Sequence, residues 1–384
     1  MGTSAPDVAR LKGDVAVRYH TRVDLELTED QQFFRDTTRK FLAAEAPVSW
    51  VRTLEDDPAG FPAEWWRRGA ALGWTSLLVP EADGGGCVGP HGLGDLVLVA
   101  EEMGRVISPG PLVPVNVVAA AVATGGTPAQ KEQVLPGLLD GSEVAAWTGP
   151  ALVEAVPEAD GYRLSGRAEP VEAGAQAGRL LVSARGPAGP LLVLVCPHDP
   201  GVTVTPLGGL DLVRRFAEVR FDGVPVPASA VVEGDPATLA LVACTVQCAE
   251  TVGVMERVFE MTLDWLADRW SFGRPLASYQ ALKHRVADDK LWLEASHAAA
   301  TAAARTVATG DEGAAEVVSA AKAWIGRHAT DLIQDCIQLH GGIGVTWDHD
   351  LHLYLRRATV NRLTYGTPEE HAEGVAARAL GDTA

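Results

Sequence analysis

The last third of this chain carries several residues whose types and spacing suit the handling of anions and protons. Arg269 offers a planar guanidinium with several fixed donors, a shape that matches anionic oxygens. Phe272-Gly273 follows at once, an aromatic face beside a residue that lets another molecule come close to the backbone. Gln280 and Gln338 supply neutral hydrogen-bonding groups, and Gly341-Gly342 leaves main-chain amides bare. Taken singly, Arg269 reads as a solvated helix-end arginine and Gly341-Gly342 as a plain helix C-cap. Two further groups bear on proton transfer. Glu250 lies among Cys248, Ala249, Thr251, Val252 and Gly253, small residues that predict burial, and a buried carboxyl with a raised pKa suits a base. The competing reading of Glu250 is a structural carboxylate paired with a cation. Tyr365, just before Gly366-Thr367, is a phenol with a pKa of about 10 and a poor base near neutrality.

These groups need long helices to hold them. Helical periodicity predicts segments over about Ala237 to Trp270, Tyr279 to Thr309 and Ala314 to Leu339, with a final one after Pro368. Earlier in the chain, Thr28-Glu29-Asp30-Gln31 reads as a capping box opening a helix that carries Phe33, Phe34, Thr37, Phe41 and Leu42. Further helices are expected through Pro62 to Leu72, Leu93 to Met103 and Pro128 to Leu139. Between the helical parts lie short β-like runs, including Arg179 to Ala184, Leu191 to Cys196, Val202 to Thr205 and Phe216 to Val226, separated by Pro and Gly. The expectation is an N-terminal extension over 1–23, an α-helical domain over 24–144, a middle antiparallel, barrel-like β domain over 145–235 and a helical bundle over 236–384.

Composition sets outer bounds. With 384 residues, 47% of them hydrophobic and 21% charged, the chain has the make-up of a folded protein with a large core. Its net charge of −18 argues against nucleic acid and anionic membrane surfaces as partners. Apolar runs such as Leu191 to Cys196 are too short to span a bilayer, and no signal peptide is read at the start, so a cytoplasmic location is expected. Five scattered cysteines form no CxxC pair or zinc pattern; Cys244 and Cys248 share a helix face as small core residues, and no metal site is expected.

Taken together, Arg269-x-x-Phe272-Gly273, Gln280, Gln338-Leu339-His340-Gly341-Gly342 and Gly366-Thr367 resemble the carboxy-terminal domain of the flavin-dependent acyl-CoA dehydrogenases. Gly73-Trp74 through Val79-Pro80-Glu81 and Gly84-Gly85-Gly86, then Glu101-Glu102-Met103-Gly104, then Gly209-Leu210-Asp211 with Arg214 and Val224-Pro225-Val226-Pro227, extend the resemblance over nearly the whole chain. It implies an acyl-CoA dehydrogenase fold of N-terminal helical, middle β and C-terminal four-helix-bundle domains. It also implies α,β-dehydrogenation of an acyl-CoA thioester, in which a base takes the α-proton and flavin N5 accepts the β-hydride. In this family FAD sits between subunits. Arg269, Phe272, Gly273, Gln280, Gln338, Gly341, Gly342 and Thr367 would be its pyrophosphate- and adenine-side contacts.

The opposite side of the cofactor departs from the family's pattern. The Thr-Glu-Pro segment is replaced by Thr148-Gly149-Pro150, and the Trp-Ile-Thr element by Pro170-Val171-Glu172. Tyr365 stands where many members place the catalytic glutamate, and the alternative helix position aligns near Ala243-Cys244, leaving Glu250 as the nearest acid. The leading expectation is therefore one subunit of a heteromeric enzyme, a heterotetramer of the type that acts on steroid side-chain thioesters in lipid catabolism, lending its contacts to FAD in a homologous catalytic partner. The alternatives are a self-sufficient homo-oligomer using Glu250 as base, and a flavin-free structural paralogue.

Overall fold

The computed structural model describes residues 27–150 and 153–380. The expected extension over 1–23 lies outside the described residues. The first layer is helical: α1 (Glu29–Glu45), α2 (Val48–Arg52), α3 (Ala63–Ala71), α4 (Gly92–Arg105), α5 (Leu112–Gly125) and α6 (Pro128–Leu139). α1 opens on the expected capping box, with the Gln31 amide N–H donating to Thr28 Oγ1 and the Thr28 N–H to Gln31 Oε1. Thr127 and Gln130 repeat that device at α6.

α5 has no counterpart in the expected elements. From Leu112 to Ala123 all but one of its residues are buried, so there is no polar face to reveal a helical period. Its buried polar side chain, Asn116, is anchored by donating to Trp74 O and Leu112 O.

Eight strands follow: β1 (Ala145–Trp147), β2 (Val153–Glu158), β3 (Gly161–Glu172), β4 (Arg179–Gly186), β5 (Gly189–Val195), β6 (Val202–Leu207), β7 (Phe216–Pro227) and β8 (Val231–Val232). They form one sheet ordered β6-β7-β3-β2-β4-β5-β8, with β1 also on β4. Most pairings are antiparallel, but β1 and β2 each run parallel to β4, so the middle sheet is mixed, not antiparallel as expected. The reason is topological: both strands enter β4's edge after a connection longer than a hairpin. β7 shows the expected alternation, with Ala217, Val219 and Phe221 buried and Arg220 outside.

The last layer is built on α7 (Pro236–Asp268), followed by the hairpin β9 (Trp270–Ser271) and β10 (Arg274–Pro275). After it come α8 (Gln280–Ala308), α9 (Ala314–His340), α10 (Leu351–Leu363) and α11 (Pro368–Leu380). α7 is long and apolar enough to cross a membrane by composition alone, yet most of that stretch is buried as the core helix of the bundle. It packs on α8, α9 and α10 and, on its other side, on α4. The α4–α7 crossing is a backbone contact: a Cβ at Gly104 would fall 2.0 Å from Glu250 O, and one at Gly253 would fall 1.9 Å from Glu101 O. That approach fixes the height at which Glu250 enters the interior.

Candidate functional site

Two places collect the residues of interest. The first is the cleft between the sheet and the bundle. The end of β1 brings in Trp147, whose indole N–H donates to Ser183 Oγ at 2.9 Å, while Thr148 Oγ1 accepts from Ser183 N. Across from it, Tyr365 holds a left-handed backbone, φ 60°, and stacks on the Trp147 ring at 6.0 Å and 20°. Burial pushes the Tyr365 phenol well above its usual range, with the Glu172 charge adding to the effect. Such a group has no proton-accepting capacity near neutrality.

Behind this stack lies a buried lattice of charge. Arg214 donates through Nη2 to both oxygens of Glu250, at 2.8 and 2.7 Å, and through Nη1 to Asn361 Oδ1 at 2.6 Å. Its Nε lies 3.2 Å from Glu172 Oε1. Arg357, from α10, donates to Glu250 Oε1 at 2.6 Å and straddles the Asp211 carboxylate. Asn361 closes the network by donating to Glu250 Oε2 and Thr251 Oγ1, both at 3.0 Å.

Electrostatics separates the three acids. Burial works against the charge of Asp211, but Arg357 and its hydrogen bonds outweigh it and bring the group down to about 2. Burial likewise opposes ionisation of Glu250, and the two guanidiniums overcome it, so its pKa falls below the ordinary carboxyl range. The raised pKa expected of a base at Glu250 is therefore not found, because Arg214 and Arg357, from separate segments, converge on it as the competing reading of a cation-paired carboxylate requires. Only Glu172 is raised, because burial exceeds the pull of Arg214, and its Oε2 bonds to nothing among the described residues.

Little space remains beside Glu172. The void beside Glu172, Ala173, Gln176 and Arg214 measures about 10 Å³, room for roughly one water. Ligand pockets usually run to roughly 300–1,000 Å³. A void of that size beside Glu172 holds neither an isoalloxazine nor an acyl-CoA.

The second place is the far end of the bundle, where the other predicted residues are exposed. α7 stops at Asp268, two residues short of the expected end near Trp270. Phe272 and Gly273 form the two-residue tip of the β9–β10 hairpin, with φ of 50° and 78°. Positive φ at both positions suits the twist of a tight hairpin. Phe272 is 97% exposed there, and the hairpin is braced by the Tyr279 hydroxyl donating to Ser271 O at 2.8 Å. Arg269 lies just before the hairpin with its guanidinium 5.8 Å from the centre of the Trp265 ring. Gln280 opens α8, and Gln338 is exposed on the last turn of α9.

Gly341 and Gly342 follow, and a Cβ at either would meet nothing within 4 Å. The Trp265 ring stacks on His340 at 5.3 Å, and Arg285 pairs with Asp335, so the end of α7, the start of α8 and the end of α9 form one surface. A guanidinium, an exposed aromatic, two amides and an open glycine turn fit the phosphate and adenine side of a dinucleotide.

Thr367 does not belong to that set. Its hydroxyl and amide both donate to Glu370 Oε2, capping α11, and Pro368 packs on Gly326. Along α9 this is roughly 20 Å from Gly341. Thr367 stands beside the closed cleft instead. Arg357, Asn361 and Trp147, which build that closure, carried no motif that sequence reading could use.

The chain matches the family model "Acyl-CoA dehydrogenase, N-terminal domain" over residues 28–142 and "Acyl-CoA dehydrogenase, C-terminal domain" over 243–380. It is 29% identical over 352 residues to acyl-CoA dehydrogenase IpdE2 of Mycobacterium tuberculosis, covering 89% of this chain and 95% of that one. Among solved structures it is similar to a variant of the Tcur3481-Tcur3483 steroid ACAD, with 30% identity, a TM-score of 0.83 and coverage of 92% and 98%. The ChsE4-ChsE5 complex from Mycobacterium tuberculosis gives 26% identity, a TM-score of 0.85 and coverage of 94% and 100%.

Proposed function

Because the chain belongs to the acyl-CoA dehydrogenase family, we propose that it is the subunit of a heteromeric enzyme of that family that lends contacts to FAD held by a catalytic partner. The observation that carries this reading is the contrast between its two sites. Its own cleft is shut by the Trp147–Tyr365 stack and the Arg214–Glu250–Arg357 lattice, while Arg269, Phe272, Gln280, Gln338 and Gly341-Gly342 stand exposed on one end. FAD bound in a homologous partner supplies the hydride-accepting centre for α,β-dehydrogenation of an acyl-CoA thioester. This chain's part is to neutralise the pyrophosphate with Arg269 and to cover the nucleotide with Phe272 and the glycine turn. The naming of two similar structures as a steroid ACAD and as a two-component complex supports a steroid-derived thioester and a second, homologous subunit; the reading takes the thioester to be on the side chain and the assembly to be α2β2. The cytoplasm is the compartment this reading assigns.

The self-sufficient alternative requires Glu250 as base. A carboxylate already bound by two guanidiniums and an amide is a weak proton acceptor, so the geometry disfavours it. The visible spectrum tests the proposal directly. The chain purified alone from a flavin-replete host should be colourless, and co-expression with its homologous gene neighbour should give a yellow, active complex. One FAD per isolated chain would overturn the reading.

A further inference from the structure

His340 sits inside the motif Gln338-Leu339-His340-Gly341-Gly342, yet unlike Gln338, Gly341 and Gly342 it is turned inward, 4% exposed. Its Nδ1 is 2.8 Å from Cys336 O, so that nitrogen carries the proton and donates back into the last turn of α9. The ring face lies on Trp265, 5.3 Å between centroids and 17° from parallel, and the edge of His349 meets it at 4.9 Å. Trp265 in turn lies 5.8 Å beneath the Arg269 guanidinium.

The order is therefore guanidinium, indole, imidazole, imidazole, running from the exposed Arg269 to the buried His340 and on to the half-buried His349 of the following loop. Arg269 makes no ion pair among the described residues. Its guanidinium rests over the Trp265 ring, and a flexible arginine so placed loses less freedom on meeting an anion.

We propose that His340, acting through Trp265, is a positioning residue that sets the direction of Arg269 and ties it to the Gly341-Gly342 turn, so that both reach one pyrophosphate together. The inference rests on the donated-surface reading and goes beyond it in naming what aims that surface. His340 touches neither cofactor nor substrate. The imidazole face and its bond to Cys336 O lock the last turn of α9, and the indole carries that placement to the residue after α7.

The test is FAD binding by the assembled complex, measured by ultrafiltration and flavin absorbance, alongside kcat at saturating FAD. His340→Ala should raise the FAD dissociation constant about tenfold while kcat stays within about twofold. His340→Phe, which restores an aromatic face to Trp265, should bring the constant back to within about threefold of wild type. If His340 works through Arg269, the His340→Ala, Arg269→Ala double variant should bind FAD no more weakly than Arg269→Ala alone.

Additive losses in the double variant would overturn the inference, since they would mean a general structural role. So would wild-type affinity in His340→Ala while Arg269→Ala is weakened, which would leave the donated-surface reading standing. If Arg269→Ala also binds FAD normally, that reading falls and takes the inference with it. Should His340→Ala fail to assemble, His340→Phe decides alone: a tenfold weakening there, with the aromatic face intact, would overturn it.

Discussion

At the scale of single residues, charge placed in the interior gives the sharpest predictions. Glu250 neutralises parts of two buried guanidiniums, and removing one member of a buried charge set leaves the others uncompensated. Glu250→Gln should therefore lower stability by roughly 3–5 kcal/mol, read as a fall in the denaturation midpoint. Activity of the assembled enzyme that remains folded should be unchanged; a fall of several orders of magnitude would restore Glu250 as a base. Asp289, in the bundle, is 1% exposed, and its Oδ2 bonds to nothing among the described residues. Burial raises its carboxyl from 3.8 to about 7. The folded state thus holds this proton more tightly than the unfolded one, and the stabilising contribution present in acid is lost as pH rises toward 7. Asp289→Asn should raise the melting temperature at pH 8 by more than at pH 5, and an equal change at both would count against a neutral buried carboxyl. Arg269, Gln280 and Gln338 came into view only as a set, through the resemblance of the whole motif series, since singly each reads as a solvated polar side chain. They did not point to the partners of Glu250, since Arg214, Arg357 and Asn361 come from three separate segments that only the tertiary fold unites.

At the scale of elements, sequence legibility followed periodicity. α8 and α9 were readable to within a few residues because each keeps a polar face, and α1 because its capping box is local chemistry. α5 was hidden by uniform apolarity. α10 was hidden because Arg356, Arg357 and Asn361 look like surface residues, although Arg357 and Asn361 are buried within the lattice. The parallel entries of β1 and β2 onto β4 were also invisible, since strand direction leaves no mark in a run of alternating residues. The crossing of α4 and α7 is the element contact on which the interior depends. Gly253→Ala would press a methyl into Glu101 O, where only backbone can yield. It should cost about 1–3 kcal/mol or prevent folding. It should also loosen the neighbouring Glu250 lattice, seen as faster amide exchange over residues 247–254. Ordinary stability in Gly253→Ala would mean that the two helices are free to separate.

At the scale of the whole molecule, the chain keeps features that an independent protein would be expected to shed. Phe272 stands 97% exposed in a left-handed conformation, a costly backbone state for a bulky residue. Around the same end of the bundle, Trp270 is 63%, Val345 74% and Trp347 51% exposed. An exposed apolar patch of this kind marks an interaction surface or an aggregation hazard. Replacing Phe272 with asparagine, which tolerates the left-handed region, separates the two demands. In the isolated chain, Phe272→Asn should remove strain and apolar exposure, raising stability by about 0.5–1 kcal/mol and reducing self-association. In the complex it should act the other way, weakening FAD retention and partner affinity, because the aromatic cover over the nucleotide is gone. Opposite signs in the two settings are what a lent surface requires. If the substitution is neutral in the complex, the hairpin tip has no part in cofactor binding, and the strain at Phe272 loses its explanation.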